Sequence, residues 1–297
     1  MGAELVGCPV IDQGSQPPLA SLSVIDGNPF IAYAQNQEDV VLSRLLALEP
    51  HGRFIDVGAG HPQLENVTYS LYQRGWRGIN VEPMAREAAL LREMRPEDET
   101  VQAAVGAAPG TITLYEAPLE NRGATTSALR FVQRHTAAGA TFRPFESPVV
   151  TLSSLLGKFE PGSVHVVKID VEGMETDVLQ GAALELHQPW VLVIEATEPN
   201  STVTAHEKWE YIVLEAGYQH TLFDGLNRFY VRQDLKAVRE LLSVPANVLD
   251  KCVPAAVAQL AEQERYIQSL LQRATSAENY AKSLETARAR ATTELNG

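Results

Sequence analysis

Three carboxylates follow two predicted buried strands, in the segments VVKIDVEG and VLVIEA. Asp170 ends the first strand, Glu172 comes two positions later, and Glu195 ends the second. A carboxylate in a core costs several kcal/mol unless it is satisfied, so acidic groups at strand ends indicate a site. Such a cluster could hold a substrate hydroxyl, act as a general base or bind a divalent cation. Because it contains no histidine, we favour a base or orienting role over a metal site. For Glu172, a position at a helix N-terminus is the structural alternative.

A glycine-rich turn follows another apolar strand in the segment FIDVGAGHP. The spacing of Asp56, Gly58 and Gly60 allows the backbone to approach a ligand closely. Gln63 stands where a dinucleotide-binding turn has its third glycine. An acidic residue before the first glycine instead suits a ligand with an ammonium group, as in the methionine part of S-adenosylmethionine. The alternative is an ordinary strand-to-helix turn. His61 is a candidate for acid–base chemistry or for a hydrogen bond to the backbone.

Further polar residues flank this turn. Glu82 ends the next predicted strand in RGWRGINVEP, where a carboxylate can accept hydrogen bonds from both ribose hydroxyls of an adenosine ligand. The alternative for Glu82 is a solvated glutamate at a strand end. Upstream, the segment YAQNQEDVVL places polar residues before a helix. They either cap the helix and face solvent, or close over a ligand.

The elements that must position these residues alternate between strand-like and helix-like segments from about residue 30 to residue 254. This alternation is typical of a doubly wound α/β sheet. The central strand candidates are nearly continuous Val and Ile runs, as expected where both faces of a sheet are covered. The last two strands, joined through DGLN, are predicted to form an antiparallel hairpin. The interval 117–148 shows little periodicity and is predicted to be a lid or binding loop.

The chain is predicted to comprise three regions: a flexible leader over residues 1–28, an α/β domain over residues 29–253 and a helix over residues 254–297. The last region carries a stripe of apolar residues at spacings of three and four, which is typical of coiled coils. The stripe consists of Leu260, Ile267, Leu270, Ala274, Ala277, Ala281 and Leu284. The helix either packs on the domain, associates with a second copy to form a homo-oligomer, or serves as a spacer.

The composition excludes several classes of protein. Among 297 residues, 45% are hydrophobic, the formal net charge is −13, and only two are cysteine. The negative charge argues against nucleic acid and anionic membranes as partners. Two distant cysteines argue against a disulfide framework and a thiolate zinc site. The sequence shows neither a signal peptide nor a membrane span, so the protein is predicted to be cytoplasmic.

These motifs together resemble the FkbM-type family of S-adenosylmethionine-dependent methyltransferases. The segments AQNQEDVVL, FIDVGAGHP, NVTYSLYQRGWRGINVEP, TLSSLL and KIDVEGMETDVLQG occur in the family's order, and FDGLNRFYV resembles its terminal hairpin. The resemblance extends from about Ala32 to Asp250. It implies a class I methyltransferase fold for residues 29–253, a Rossmann-like sheet of seven strands with the last one antiparallel.

The resemblance also implies S-adenosylmethionine as the cofactor and transfer of a methyl group to oxygen. The expected acceptor is a hydroxyl of a sugar, a glycan or glycolipid, or a related natural product. The predicted cofactor-binding residues are Gln35, Asp56, Gly58, Ala59, Gly60, Glu82, Pro83, Ala104 and Asp170. The catalytic candidates are Asp170, Glu172, Glu195 and His61, and no metal is predicted. Two alternatives remain: a non-catalytic interaction protein on this fold, and a nicotinamide-dependent oxidoreductase, against which Gln63 counts.

Overall fold

A computed structural model describes residues 24–25, 28–116, 132, 136, 141–198 and 201–295. Most of the predicted leader, and residues 117–140 of the predicted lid apart from positions 132 and 136, lie outside the described residues. The described part of the leader belongs to a short antiparallel pair in which Val24–Ile25 meets Asn28–Pro29.

The secondary structure alternates along the chain. The strands are β1 (Val24–Ile25), β2 (Asn28–Pro29), β3 (Ile31–Ala32), β4 (Arg53–Val57), β5 (Arg77–Val81), β6 (Glu99–Val101), β7 (Ala104–Val105), β8 (Gly110–Glu116), β9 (Arg143–Val150), β10 (Val166–Ile169), β11 (Val191–Glu195), β12 (Tyr218–Phe223), β13 (Asn227–Arg232) and β14 (Val253–Pro254). The helices are α1 (Glu38–Ser43), α2 (Tyr69–Gln73), α3 (Ala85–Met94), α4 (Leu152–Leu156), α5 (Glu175–Gln180), α6 (Leu184–His187), α7 (Glu210–Glu215), α8 (Lys236–Leu242) and α9 (Ala255–Leu295). Short 3₁₀ turns occupy Arg44–Ala47, His206–Lys208 and Val248–Asp250.

The main sheet has seven strands in the order β12-β13-β11-β10-β4-β5-β6. Strand β13 runs antiparallel to both of its neighbours, and the other pairs are parallel. The predicted class I methyltransferase fold, with its antiparallel terminal hairpin, is therefore confirmed. Strands β10 and β11 are buried along their whole length, because two apolar clusters cover the opposite faces of the sheet.

The strand register brings the polar strand ends together. Ile169 of β10 pairs with Val57 of β4 on one side and with Ile194 of β11 on the other. The residues that follow these three partners are therefore neighbours at the carboxyl edge of the sheet, where ligands bind in open α/β folds. Gly58 and Asp170 are two of these residues, and Glu195 is the third.

A second sheet, β7-β9-β8, corrects two predictions. Residues 143–148 of the predicted lid belong to β9, which pairs antiparallel with β8 over seven positions from Gly110 to Glu116. The segment TVQAAVG, residues 100–106, has the sequence pattern of one strand, but it is divided between β6 of the main sheet and β7 of the second. Pro144 and Pro148 concealed β9 in the sequence. They are tolerated because β7 pairs only with Val149 and Val150, so the second edge of β9 is unpaired beside both prolines.

The chain divides into two compact units, residues 1–252 and residues 253–297. The first contains the main sheet and the second sheet. The second consists of β14 and α9, a helix of 41 residues in which every side chain from Gln259 to Thr292 is exposed. No helix in the described part of the chain combines the length and the hydropathy needed to cross a bilayer.

Candidate active site

The turn after β4 requires glycine at its first position. Gly58 has φ 75°, and a β-carbon there would lie 1.9 Å from the carbonyl oxygen of Asp170. Its amide and that of Ala59 donate to the carbonyl of Val81 on β5, at 3.0 and 3.1 Å. The turn is thus held between β5 and the end of β10, which fixes the backbone that follows.

Gly60 differs from Gly58 because space surrounds it. Its φ is 59°, and apart from its two chain neighbours no heavy atom of the described residues lies within 4 Å of where a β-carbon would be. Beside it, the Glu82 carboxylate accepts hydrogen bonds from the amides of Gly60 at 2.9 Å and Met84 at 2.8 Å. Burial raises the pKa of Glu82 to about 7. An open glycine turn beside a strand-end carboxylate fits an adenosyl ligand.

Asp56 is buried and does not line a cleft, as a residue that contacts a cofactor would. Its side chain is completely buried, and its Oδ2 accepts a 2.7 Å hydrogen bond from the Thr68 hydroxyl. The Thr68 hydroxyl also accepts from Arg95, which forms a buried ion pair with Asp98. On the other side, Asp56 Oδ1 lies 3.7 Å from the Lys168 ammonium. Asp56 therefore acts on the site through Lys168.

Lys168 is not among the site residues predicted from the sequence. It lies within buried β10, and its ammonium donates to the Gly58 carbonyl at 3.0 Å and lies 3.3 Å from Asp170 Oδ2. Burial alone would lower its pKa, but the charges of Asp170 and Asp56 outweigh burial and raise it. The signal in the sequence was a lysine inside a Val/Ile run, two positions before an aspartate and hence on the same face of the strand.

The three predicted carboxylates lie together. Asp170, Glu172 and Glu195 each offer an oxygen, and these oxygens lie within 4.8 Å of one another. Burial, followed by the charge of Asp170, raises the pKa of both Glu172 and Glu195. We call this group the carboxylate cluster.

The helix N-terminus alternative for Glu172 is wrong. Helix α5 begins at Glu175, whose carboxylate accepts from the Gly173 amide at 3.0 Å and so supports the turn before the helix. Glu172 precedes that turn with φ 53°, a left-handed conformation that is strained for a residue with a side chain. Strain of this kind is characteristic of binding and catalytic sites.

The polar segment before α1 is anchored to the terminal hairpin. Glu38, the first residue of α1, accepts through Oε1 from the side-chain amide of Asn227 at 2.6 Å, and the Asn36 side chain donates to the Asp224 carbonyl at 3.1 Å. Asn227 pairs with Glu195 in the sheet, so the segment borders the carboxylate cluster. Glu38 is buried, and the alternative in which this segment only faces solvent is therefore wrong for this residue. Gln35 is exposed at the turn before it.

His61 has the backbone-bonded role that was its alternative. Its Nδ1 accepts from the amides of Gln63 at 3.1 Å and Leu64 at 3.0 Å. In the neutral ring, the proton then resides on Nε2, so neither nitrogen has a lone pair ready to accept a substrate proton. The geometry therefore favours a turn-stabilising role over a general base.

The remaining predicted cofactor-binding residues are Ala59, Pro83 and Ala104, and none of them carries a polar side chain. Ala59 is buried in the glycine turn, and Pro83 is half-buried directly after Glu82. Ala104 is buried in a small cluster with Leu114 and Met174, and Met174 closely follows Glu172 in the chain. These surfaces can provide apolar contacts for an adenine ring, while the carboxylates provide the polar contacts.

The model of the FkbM methyltransferase domain matches residues 56–220, more than half of the chain. The chain belongs to the FkbM methyltransferase family. As an FkbM-family methyltransferase it uses S-adenosylmethionine, and the predicted resemblance and cofactor are confirmed. No curated protein matches the sequence.

Several solved structures are similar to this FkbM-family protein. A TehB-like SAM-dependent methyltransferase of Corynebacterium glutamicum is 12% identical, covering 66% of this chain and 86% of that one, with a TM-score of 0.37. An O-methyltransferase of Bacillus cereus in complex with SAH is 15% identical, covering 71% and 84%, with a TM-score of 0.34. A precorrin-6y C5,15-methyltransferase of Geobacter metallireducens is 12% identical, covering 73% and 98%, with a TM-score of 0.35.

The space around Gly60 leads to a prediction. If the cofactor fills it, Gly60→Ala will weaken binding of S-adenosylhomocysteine at least about tenfold, because an intruding methyl group costs about 1–3 kcal/mol. Titration calorimetry measures the affinity. Gly217→Ala is the matched control, because Gly217 also has a positive φ and open surroundings but follows α7. Both variants should lose similar stability in urea, and unchanged affinity in Gly60→Ala would contradict this cofactor position.

Proposed function

We propose that the protein is an S-adenosylmethionine-dependent O-methyltransferase acting on a hydroxyl of a sugar, a glycan or glycolipid, or a related natural product. The observation that carries the proposal is the carboxylate cluster, which register places beside the open glycine turn at the carboxyl edge of the sheet. The turn and Glu82 would hold the adenosine part of the cofactor. The cluster would hold the acceptor.

In the proposed mechanism, the cofactor supplies an electrophilic methyl group on a sulfonium. Asp170 hydrogen-bonds to the acceptor hydroxyl and accepts its proton as the oxygen–carbon bond forms and the carbon–sulfur bond breaks. The products are a methyl ether and S-adenosylhomocysteine. Of the ion-paired carboxylates, Asp170 suits this role because its side chain is 38% exposed, whereas Asp56 is buried. Lys168 keeps Asp170 oriented, and positioning accounts for much of the rate enhancement.

The charge of the cluster supports a polyhydroxylated acceptor. Carboxylates accept hydrogen bonds from hydroxyl groups and repel anions, so several neighbouring hydroxyls suit this surface better than a phosphate does. The other two carboxylates of the cluster, Glu172 and Glu195, would then accept hydrogen bonds from hydroxyls next to the one that reacts. A sugar ring offers such hydroxyls on adjacent carbons.

The test is a screen of nucleotide sugars and glycan fragments with S-adenosylmethionine labelled in its methyl group. We expect label in an alkali-stable methyl ether for at least one acceptor, located by mass spectrometry and NMR. Label on nitrogen or carbon would overturn O-methylation. Calorimetry with S-adenosylhomocysteine and with NAD tests the oxidoreductase alternative. Binding of S-adenosylhomocysteine without transfer to any acceptor would favour the non-catalytic alternative.

The pKa of Glu82 predicts how the affinity for S-adenosylhomocysteine depends on pH. An ionised carboxylate accepts hydrogen bonds from both ribose hydroxyls. The pKa of Glu82 is about 7, so at a lower pH its carboxyl group must lose a proton before the cofactor can bind in this way. The affinity for S-adenosylhomocysteine should therefore fall as the pH decreases through 7, approaching about tenfold per pH unit. Calorimetry between pH 5.5 and pH 8 measures this dependence. Glu82→Gln should bind more weakly at pH 8 and lose the dependence; a wild-type affinity that is flat with pH would contradict the ribose role.

We also propose that α9 forms a parallel two-stranded coiled coil with a second copy of the chain. Long helices in water depend on packing, yet this one exposes its apolar stripe, including Ile267 at 54% and Leu284 at 52%. If Leu260 and Ile267 occupy heptad position a, then Arg273 lies at position g and Glu278 at position e of the next heptad. These two residues of opposite charge face each other across the helix pair only when the helices are parallel and in register. This charge complementarity favours a second copy as the partner.

The coiled coil predicts a dimer in light scattering of the full chain. Ile267→Glu should shift the mass to that of a monomer, because it places a charge in the apolar seam. Thr275→Glu, which adds the same charge on the outer side of the helix, should leave the dimer unchanged. A monomeric wild-type protein, or equal effects of the two substitutions, would contradict the proposal.

A further inference from the structure

The carboxylate cluster has the geometry of a site for a hard cation. Its oxygens come from three different side chains and lie within 4.8 Å of one another. Oxygens on opposite sides of an ion are about 4.2 Å apart around Mg²⁺ and about 4.8 Å apart around Ca²⁺, and adjacent ones are closer. We infer that Asp170, Glu172 and Glu195 together bind one divalent cation of the oxygen-preferring class, Mg²⁺, Mn²⁺ or Ca²⁺.

A second observation points to the cation. Glu195 is only 8% exposed, and its buried Oε2 has no hydrogen-bond partner among the described residues. An unsatisfied buried oxygen costs about 1–3 kcal/mol, and more when charged. The neighbouring Asp170 can satisfy a Glu195 oxygen only through a shared proton, and this hydrogen bond adds to burial and the neighbouring charges in raising the pKa of Glu195. A cation coordinated by all three residues would satisfy the oxygen of Glu195.

The local charge balance also leaves room for a cation. Lys168 is a positive side chain beside the cluster, and it is already engaged by the Gly58 carbonyl, Asp56 and Asp170. Glu195 brings a further carboxylate, for which no salt bridge is found among the described residues.

The cluster is both rigid and accessible. Asp170 follows β10 and Glu195 ends the neighbouring β11, so paired strands set the distance between these two ligands. Asp170 is 38% exposed, so solvent reaches the cluster and further coordination positions stay open to water or to hydroxyls. Three protein oxygens with open positions are what a catalytic Mg²⁺ or Mn²⁺ needs.

Only the role of the cation rests on the proposed function. A cation here would bind the acceptor hydroxyl and a hydroxyl next to it, and would stabilise the negative charge that develops on the attacking oxygen. This role narrows the acceptor to one with two vicinal oxygens. Cation binding itself requires neither the acceptor nor methyl transfer.

The experiment uses the full chain stripped with EDTA and titrated with Mn²⁺, monitored by electron paramagnetic resonance without acceptor. We expect one site, competed by Mg²⁺ or Ca²⁺. Glu195→Gln should weaken Mn²⁺ binding at least about tenfold, the range found when a ligand shell is disturbed. Glu185→Gln removes an exposed carboxylate on α6 and should leave Mn²⁺ binding unchanged. Glu172→Gln is the second test should Glu195→Gln unfold.

The outcomes separate the inference from the proposed function. Absence of a Mn²⁺ site, or equal Mn²⁺ affinity in Glu195→Gln and wild type, overturns the inference. Calorimetry with S-adenosylhomocysteine on the same samples reports the cofactor site independently. A protein that binds S-adenosylhomocysteine but no Mn²⁺ contradicts only the cation site. A protein that binds Mn²⁺ but methylates no hydroxyl contradicts only the proposed function.

Discussion

Replacing Asp170 with asparagine will lower kcat for methyl transfer by at least about a hundredfold, the contribution typical of a positioned proton acceptor. The amide keeps the size of the side chain but cannot accept a proton, and it loses the attraction of Lys168 3.3 Å away. Initial rates with a labelled methyl group measure the loss. The affinity for S-adenosylhomocysteine should change far less than kcat, because Glu82 and the glycine turn hold the adenosine part.

Asp177→Asn is the matched control for this substitution. Asp177 lies on α5, seven residues further along the chain, and its side chain is exposed. The same chemical change there should leave kcat within about twofold of wild type, as for most surface substitutions. An Asp170→Asn enzyme with both the rate and the cofactor affinity of wild type would refute the assignment of the catalytic carboxylate.

Replacing Lys168 with methionine will lower the free energy of unfolding by about 3–5 kcal/mol, as expected when one partner of a buried ion pair is removed. Methionine fills a similar volume in β10, but it leaves Asp56 and Asp170 without their shared cation and the Gly58 carbonyl without its donor. Urea unfolding, followed by circular dichroism, measures the change.

The exposed ion pair of Lys208 and Glu198 provides the comparison. Lys208→Met removes a lysine from a solvated pair, which is worth less than about 1 kcal/mol. If the two substitutions shift the urea midpoint equally, then Lys168 does not hold Asp56 and Asp170 as described. A large shift in Lys168→Met alone would support a chain of buried polar contacts from Asp98 to Asp170.

Local patterns in the sequence were sufficient for the order of the elements and for the residues at the strand ends. Val/Ile runs predict buried strands because both faces of the sheet are covered, and the glycines after β4 mark a turn that excludes side chains. The carboxylates at the ends of β10 and β11 could likewise be identified, because a charged group that follows an apolar run is rare without a purpose.

What local patterns could not provide is the set of distances across the sheet. Only the pairing of Ile169 with Val57 and Ile194 brings the carboxylate cluster beside the glycine turn. The same register buries Asp56 against Lys168, so one acidic residue of the turn faces inward while Asp170 remains accessible. The contact between Glu38 and Asn227 joins positions 189 residues apart.

At the strand β9 and at the turn of Glu172, the local sequence pattern predicts the wrong structure. Two prolines suppress the strand pattern of β9, but pairing of seven of its eight residues with β8 stabilises the strand. Glu172 suggests a helix start, but the backbone turns left-handed there and the helix begins later. In both cases tertiary contacts outweigh local preferences of about 1 kcal/mol per residue, because the partner residues are distant in the chain and neighbours only once it has folded.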